Sequence, residues 1–134
     1  MIKMTPITST QQLSSVFKQL KPHIELALTK APEYTLESVL EDVLRGQSLL
    51  WYAHEEDTVY GIVTTQIKQY PQIKVIVGHL VGGTDINKWV HLMSTIEDYA
   101  REQGCTDVEL QARKGWLKVM PEYTAERLIL TKKL

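Results

Sequence analysis

Few side chains in this chain combine a reactive group with an informative setting. His79 stands in Val75-Ile76-Val77-Gly78-His79-Leu80-Val81, a β-branched run that reads as a strand, and shares parity there with Val75, Val77 and Val81. An imidazole titrates near neutral pH, so His79 is a candidate general base. The other histidines, His23, His54 and His91, have no partner at metal-ligand spacing. With Cys105 the only cysteine, neither a zinc site nor an internal disulfide is expected. Gly82-Gly83 follows the His79 strand and suits a sharp turn into a helix, where free amides favour an anion. No nucleophile-elbow or Walker pattern is present. Arg113-Lys114 and Lys132-Lys133 are small basic pairs suited to an acidic partner or a phosphate.

The elements that must position these groups are readable from period and punctuation. The 134 residues fit one domain, 1–134; they are 43% hydrophobic and 23% charged, which is a globular composition. Fifteen basic against sixteen acidic residues argue against broad nucleic-acid binding. The absence of a signal-like or membrane-length apolar run suggests a cytoplasmic protein. Ile2 to Ile7 reads as a strand. Leu13, Val16, Phe17, Leu20 and Ile24 recur at helical spacing, with a kink or fresh start expected at Pro22. Thr35 caps a second helix with the stripe Leu36, Val39, Leu40, Val43 and Leu44, stopped at Gly46. Ser48 to His54, Val59 to Ile67 and Ile73 to Val81 form three consecutive antiparallel strands.

A long helix is expected from Ile86 to Gln103, with Ile86, Trp89, Val90, Met93, Ile96 and Ala100 on one face and Asp85 as its N-cap. Cys105 to Ala112 reads as a strand, Gly115 to Met120 as a short helix and Ala125 to Leu134 as a last strand. The order is β-α-α-β-β-β-α-β-α-β. The crossover from Ile73 to Ala112 makes its two strands parallel, giving an α/β (α+β) fold: a mixed, mostly antiparallel sheet with helices on both faces.

This order resembles the GCN5-related N-acetyltransferase (GNAT) superfamily over nearly the whole chain. The segments carrying the resemblance are Val75 to Gly83, the helix Ile86 to Gln103, and Gln111-Ala112-Arg113-Lys114-Gly115-Trp116; the Arg-x-Gly-Trp stretch is similar to small bacteriophage-encoded members. The resemblance implies an acetyl-CoA-dependent N-acetyltransferase acting on a small-molecule or protein amine, with the cofactor in a split between the fourth and fifth strands. A wide gap between Val77 and Glu109, beside Gly78 and His79, would favour the enzyme reading, and a closed sheet there would count against it. The resemblance further implies cofactor contacts by Leu80, Val81, Gly82, Gly83, Thr84, Ile86, Asn87 and Lys88. It suggests His79 or Glu109 as the amine's base, and Tyr123 as either the acid for the leaving thiolate or a packing aromatic. The loop departs from the family's Gln/Arg-x-x-Gly-x-Gly/Ala motif, and Asp85 as a cap would occupy an amide and repel a pyrophosphate. The alternative is therefore an inactive GNAT-fold phage accessory or virion-associated protein working through protein contacts, as a monomer or homodimer.

Overall fold

A computed structural model describes residues 1–134. It contains β1 (Lys3–Pro6), α1 (Thr10–Leu28), α2 (Leu36–Leu44), β2 (Leu49–Glu55), β3 (Thr58–Gln69), β4 (Lys74–Gly83), α3 (Ile86–Trp89), α4 (Met93–Glu102) and β5 (Asp107–Leu110). Turns of 3₁₀ helix at Val90–Leu92 and Lys114–Lys118 complete it. The sheet order is β1-β2-β3-β4-β5. The first four strands are antiparallel neighbours, and β5 runs parallel to β4 with Val75 opposite Asp107 and Ile76 opposite Val108. The α/β class and the parallel crossover expected from the sequence are therefore present.

The sheet is covered on both faces because its strands alternate between two cores. Leu50, Tyr52, Ile62 and Leu80 pack with Leu13, Leu20, Ile24 and Ala27 of α1 and Val39 of α2. Trp51, Ala53, Val63 and Ile76 pack with Trp89 of α3 and Met93, Ile96 and Ala100 of α4. Leu20, Ile24, Leu50, Ile62 and Ile76 are fully buried, each worth about 1.5–3 kcal/mol. No helix is long and apolar enough to cross a membrane.

Several local expectations are corrected. The first helix runs unbroken from Thr10 to Leu28, with Pro22 inside it on the exposed side. The packing of its apolar stripe outweighs the roughly 3 kcal/mol cost of an interior proline. The expected long helix is instead α3, a 3₁₀ turn and α4. Trp89 leaves helical geometry (φ −134°, ψ −8°) while its buried indole N–H donates to the Thr84 carbonyl at 2.8 Å. Finally, Ala125 to Leu134 is not a strand: residues 124–134 make no backbone–backbone hydrogen bond, and Leu128, Ile129 and Leu130 are 84%, 80% and 90% exposed.

Candidate active site

The site is built by a strand that outlasts its neighbour. β4 and β5 pair from Val75–Asp107 to Gly78–Leu110, closing with Gln111 N–H on the Gly78 carbonyl at 2.9 Å. The sheet is therefore closed between Val77 and Glu109, an outcome that counts against the enzyme reading, and the split opens only beyond Gly78 and Leu110. A Cβ at Gly78 on that last rung would lie 2.6 Å from Leu110 Cδ2, so a larger residue there would push the Leu110 side chain aside. β4 then continues to Gly83 with β3 on one side and no strand on the other. The backbone edge of residues 79–83 faces the gap.

A cavity of about 600 Å³ occupies this gap. Its walls come from the last turn of α1 and the following loop (Leu26, Ala27, Thr29, Lys30, Ala31), from β4, and from the exit of β5 with the 3₁₀ turn beyond it. Two cationic side chains, Lys30 and Arg113, line it, and no carboxylate does. Such a lining favours a ligand that carries negative charge.

The structure divides the sequence-predicted cofactor residues. Leu80, Val81, Gly82, Gly83 and Ile86 line the cavity; Thr84, Asn87 and Lys88 do not. Thr84 is held by Tyr60 and Trp89, and Lys88 Nζ lies 5.9 Å above the Tyr60 ring. The glycines answer first to packing. A Cβ at Gly82 would fall 2.7 Å from Ala27 Cβ, and one at Gly83 2.3 Å from the Tyr60 carbonyl oxygen. Asp85 occupies the N-cap position of α3 in the left-handed region (φ 51°), and its side chain makes no capping hydrogen bond. The expected capping by its carboxylate is therefore absent, and α3, at four residues, is a weak helix dipole.

His79 stands at the fork, and a bulge puts it there. Thr65 pairs with Gly78 and Thr64 with Leu80, so His79 is an extra residue on β4. The bulge reverses the alternation: Ile76 belongs to the α4-side core, but Leu80 belongs to the α1-side core. His79 therefore keeps the side of Val75 and Val77, opposite Ile76 and beside Tyr34 and Val39, and only its parity with Val81, which joins the α4-side core, is corrected. The imidazole lines the large cavity and also a water-sized one of about 20 Å³ shared with Tyr34, Asp42, Ser48, Thr64 and Gln66. Tyr34 meets the ring edge-on at 6.4 Å.

Nδ1 lies 3.4 Å from the Gln111 side-chain oxygen. That contact takes the proton on Nδ1 and leaves the lone pair on Nε2, which is buried without a partner. Burial pushes the His79 pKa below its ordinary value. Gln111 and Asp42 push it up, and Lys68 pushes it further down. The group is therefore a neutral imidazole at neutral pH, as a base must be.

The other two candidates are placed elsewhere. Glu109 is not among the cavity residues; it lies on β5, 4.0 Å from Arg127. Tyr123 also lies outside the cavity lining. Its hydroxyl donates to Glu97 of α4 at 2.6 Å, and burial, followed by that hydrogen bond and the Glu97 charge, drives its pKa far up. Sequence reasoning gave the acceptor pocket to the first two helices and nearby loops, and α1 does line the cavity, but it did not assign Lys30 or Gln111 to the site. Only the packing of Ala27 on Gly82 and the bulge at His79 bring them in, and neither leaves a local signature. No group of His, Cys, Asp and Glu side chains is arranged to hold a metal ion.

No protein-family model matches the chain, and no curated protein matches its sequence. Solved structures do. An aminoglycoside acetyltransferase from an uncultured soil metagenomic sample, in complex with trehalose, superposes with a TM-score of 0.70 at 17% identity, covering 99% of this chain and 95% of that one. A ribosomal-protein-alanine N-acetyltransferase from Brucella melitensis biovar Abortus 2308 gives 0.70 at 14% identity, covering both chains fully. A protein named as a transcriptional regulator from Bacillus halodurans C-125 gives 0.71 at 11% identity, again over 100% of both chains. At these identities it is architecture that is shared, and the sheet forked between β4 and β5 carries the fold of the GNAT acetyltransferases.

Proposed function

We propose that the chain is an acetyl-CoA-dependent N-acetyltransferase. The observation that supports this most directly is the free edge of β4 from His79 to Gly83, opening onto a cavity with two cations and no carboxylate. An exposed strand edge takes up an extended, amide-bearing chain by main-chain hydrogen bonding. The pantetheine arm is such a chain, and the residues fit it. The phosphates find no helix amides of strength at α3, so Lys30 and Arg113 are the groups we assign to them.

Acetyl-CoA supplies an activated acetyl thioester. The backbone amides of the β4 edge would orient the acyl carbonyl for attack by the amine; as the new C–N bond forms the C–S bond would break, and the proton given up by the amine, which we assign to the His79 imidazole, would go on to the departing thiolate. Glu109 and Tyr123 hold lesser places, as groups beside the sheet rather than in the cavity. Among similar structures one is named for an aminoglycoside and another for a ribosomal-protein alanine, so the acceptor class spans small-molecule and protein amines. A cytoplasmic setting and the kinship with phage-encoded members, resting on Arg113-x-Gly115-Trp116, belong to the same proposal. The inactive alternative rests on the missing Gln or Arg of the loop motif and on Asp85; the first ground stands, and the second loses its capping part because the Asp85 side chain makes no capping hydrogen bond.

Isothermal titration with acetyl-CoA tests the reading. Micromolar affinity that weakens in Arg113→Ala and Lys30→Ala is the expected result. An absence of heat at millimolar acetyl-CoA would sink it.

A further inference from the structure

His79 lines a second, smaller cavity of about 20 Å³ as well as the large one. One water molecule needs roughly 10–15 Å³ and two to four polar partners. The polar lining here is Tyr34, Asp42 of α2, Ser48, and Thr64 and Gln66 of β3. The two ring nitrogens of His79 are unequally served: Nδ1 has Gln111, whereas Nε2 is buried and has no partner. We propose that the small cavity binds one water molecule that joins His79 Nε2 to the Asp42 carboxylate, which makes Asp42 a positioning residue for the imidazole.

The hydrogen-bonding groups around the cavity match a water in number and kind. Ser48 Oγ accepts from Gln66 Nε2 at 2.9 Å, and Thr64 Oγ1 accepts from the Leu80 N–H at 3.2 Å. Both hydroxyl protons are left to donate, and a water offers two lone pairs to receive them. The Asp42 carboxylate is in no ion pair, with His79 or any other cation. It and Nε2 are the acceptors for the water's two protons. The backbone holds the set together, because the Asp42 carbonyl accepts the N–H groups of Gln47 and Ser48 at 2.9 and 3.2 Å.

In the acetyl transfer proposed above, on which this role rests, a proton reaches the buried Nε2 only through the molecule held against it. The water gives one O–H proton to Nε2 and takes up the proton that the amine releases, so it ends unchanged. The imidazolium N–H then donates to the water, and the water donates to Asp42. The carboxylate stabilises the new charge and is not itself protonated. Asp42 and Gln111 hold the His79 pKa up against burial, and Lys68 of β3 opposes them. Tyr34 adds no charge, because burial and the nearby Glu33 and Asp42 keep its hydroxyl protonated.

Nuclear magnetic resonance of the His79 ring in the full chain, without acetyl-CoA, tests the site. The neutral ring should be the Nδ1–H tautomer, with a long-lived nuclear Overhauser contact between water and its ring protons. Both readings come from the parent chain and hold even if a variant does not fold. Asp42→Asn should lower the proton affinity of His79 about threefold or more, and Asp42→Glu should keep it within about twofold of the parent. Ser48→Ala removes one donor to the water and no charge, and should weaken the water contact. An Nε2–H tautomer, ring protons without a water contact, or a midpoint that Asp42→Asn leaves in place overturns the proposal. In acetyl transfer, Asp42→Asn should lower kcat and move the acid limb to lower pH with KM for acetyl-CoA unchanged; a change in KM alone overturns the positioning role. A chain that binds no acetyl-CoA would sink the function proposed above, while the ring titration still decides the water site.

Discussion

At the scale of single residues, the proposed chemistry rests on His79, while Tyr123 lies outside the cavity lining. A histidine whose pKa is lowered by burial stays neutral until the pH falls below the ordinary value of about 6.5. Acetyl transfer by the proposed route should therefore be flat through neutral pH and fall only on the acid side of that value; a rate profile with its acid limb at or above the ordinary value would contradict it. Folding shares the sign. The unfolded chain takes up the proton first, so stability is lost as pH drops below the ordinary value, and His79→Gln should lessen that slope. The same variant should keep acetyl-CoA affinity within about twofold while abolishing turnover, since Nε2 and not the β4 backbone is what it removes. Tyr123→Phe should cost about 1–2 kcal/mol in denaturant melts through the lost bond to Glu97 and leave acetyl-CoA binding unchanged. His79 was legible as a candidate from its type and strand, and the structure places it at the cavity, but its partner Gln111 was not legible. The bulge that aims the ring depends on how β4 registers against β3, and register lies in no single segment.

At the scale of elements, the fold was legible wherever a segment carries its own period. The hairpin of β2 and β3, the stripe of α2 and the crossover to β5 all follow from apolar spacing that burial then enforces. The break between α3 and α4 was hidden because a 3₁₀ turn preserves the i, i+3 apolar spacing of a continuous helix. The α1–β4 contact was hidden because it is written in small residues, whose meaning appears only when two elements meet. Gly82→Ala places a methyl 2.7 Å from Ala27 Cβ and should force α1 away from β4. About 1–3 kcal/mol of lost stability is expected in thermal or urea melts, with weakened acetyl-CoA binding because the displaced turn is a cavity wall. A variant as stable as the parent would show that this contact is slack.

At the scale of the whole molecule, a net charge of −1 conceals a local asymmetry, with Lys30 and Arg113 facing a cavity free of carboxylates. Binding of a polyanionic cofactor should consequently weaken as salt rises, because screening shortens the reach of both cations to about 8 Å at physiological ionic strength. Titrations at low and high salt giving one affinity would remove them from the proposed contact. The C-terminal ten residues show the limit of sequence reading at this scale. Ala125 to Leu134 read as a strand and is none: a strand exists only with a partner, and the partner is not in the segment. The forked sheet carries a last consequence. An edge of main-chain amides is the same edge whatever side chains flank it, so selection on such a grip constrains shape and leaves spelling free. Two chains of this shape can share 17% identity and one outline over 99% of this chain, so that superposition sees a likeness that alignment does not.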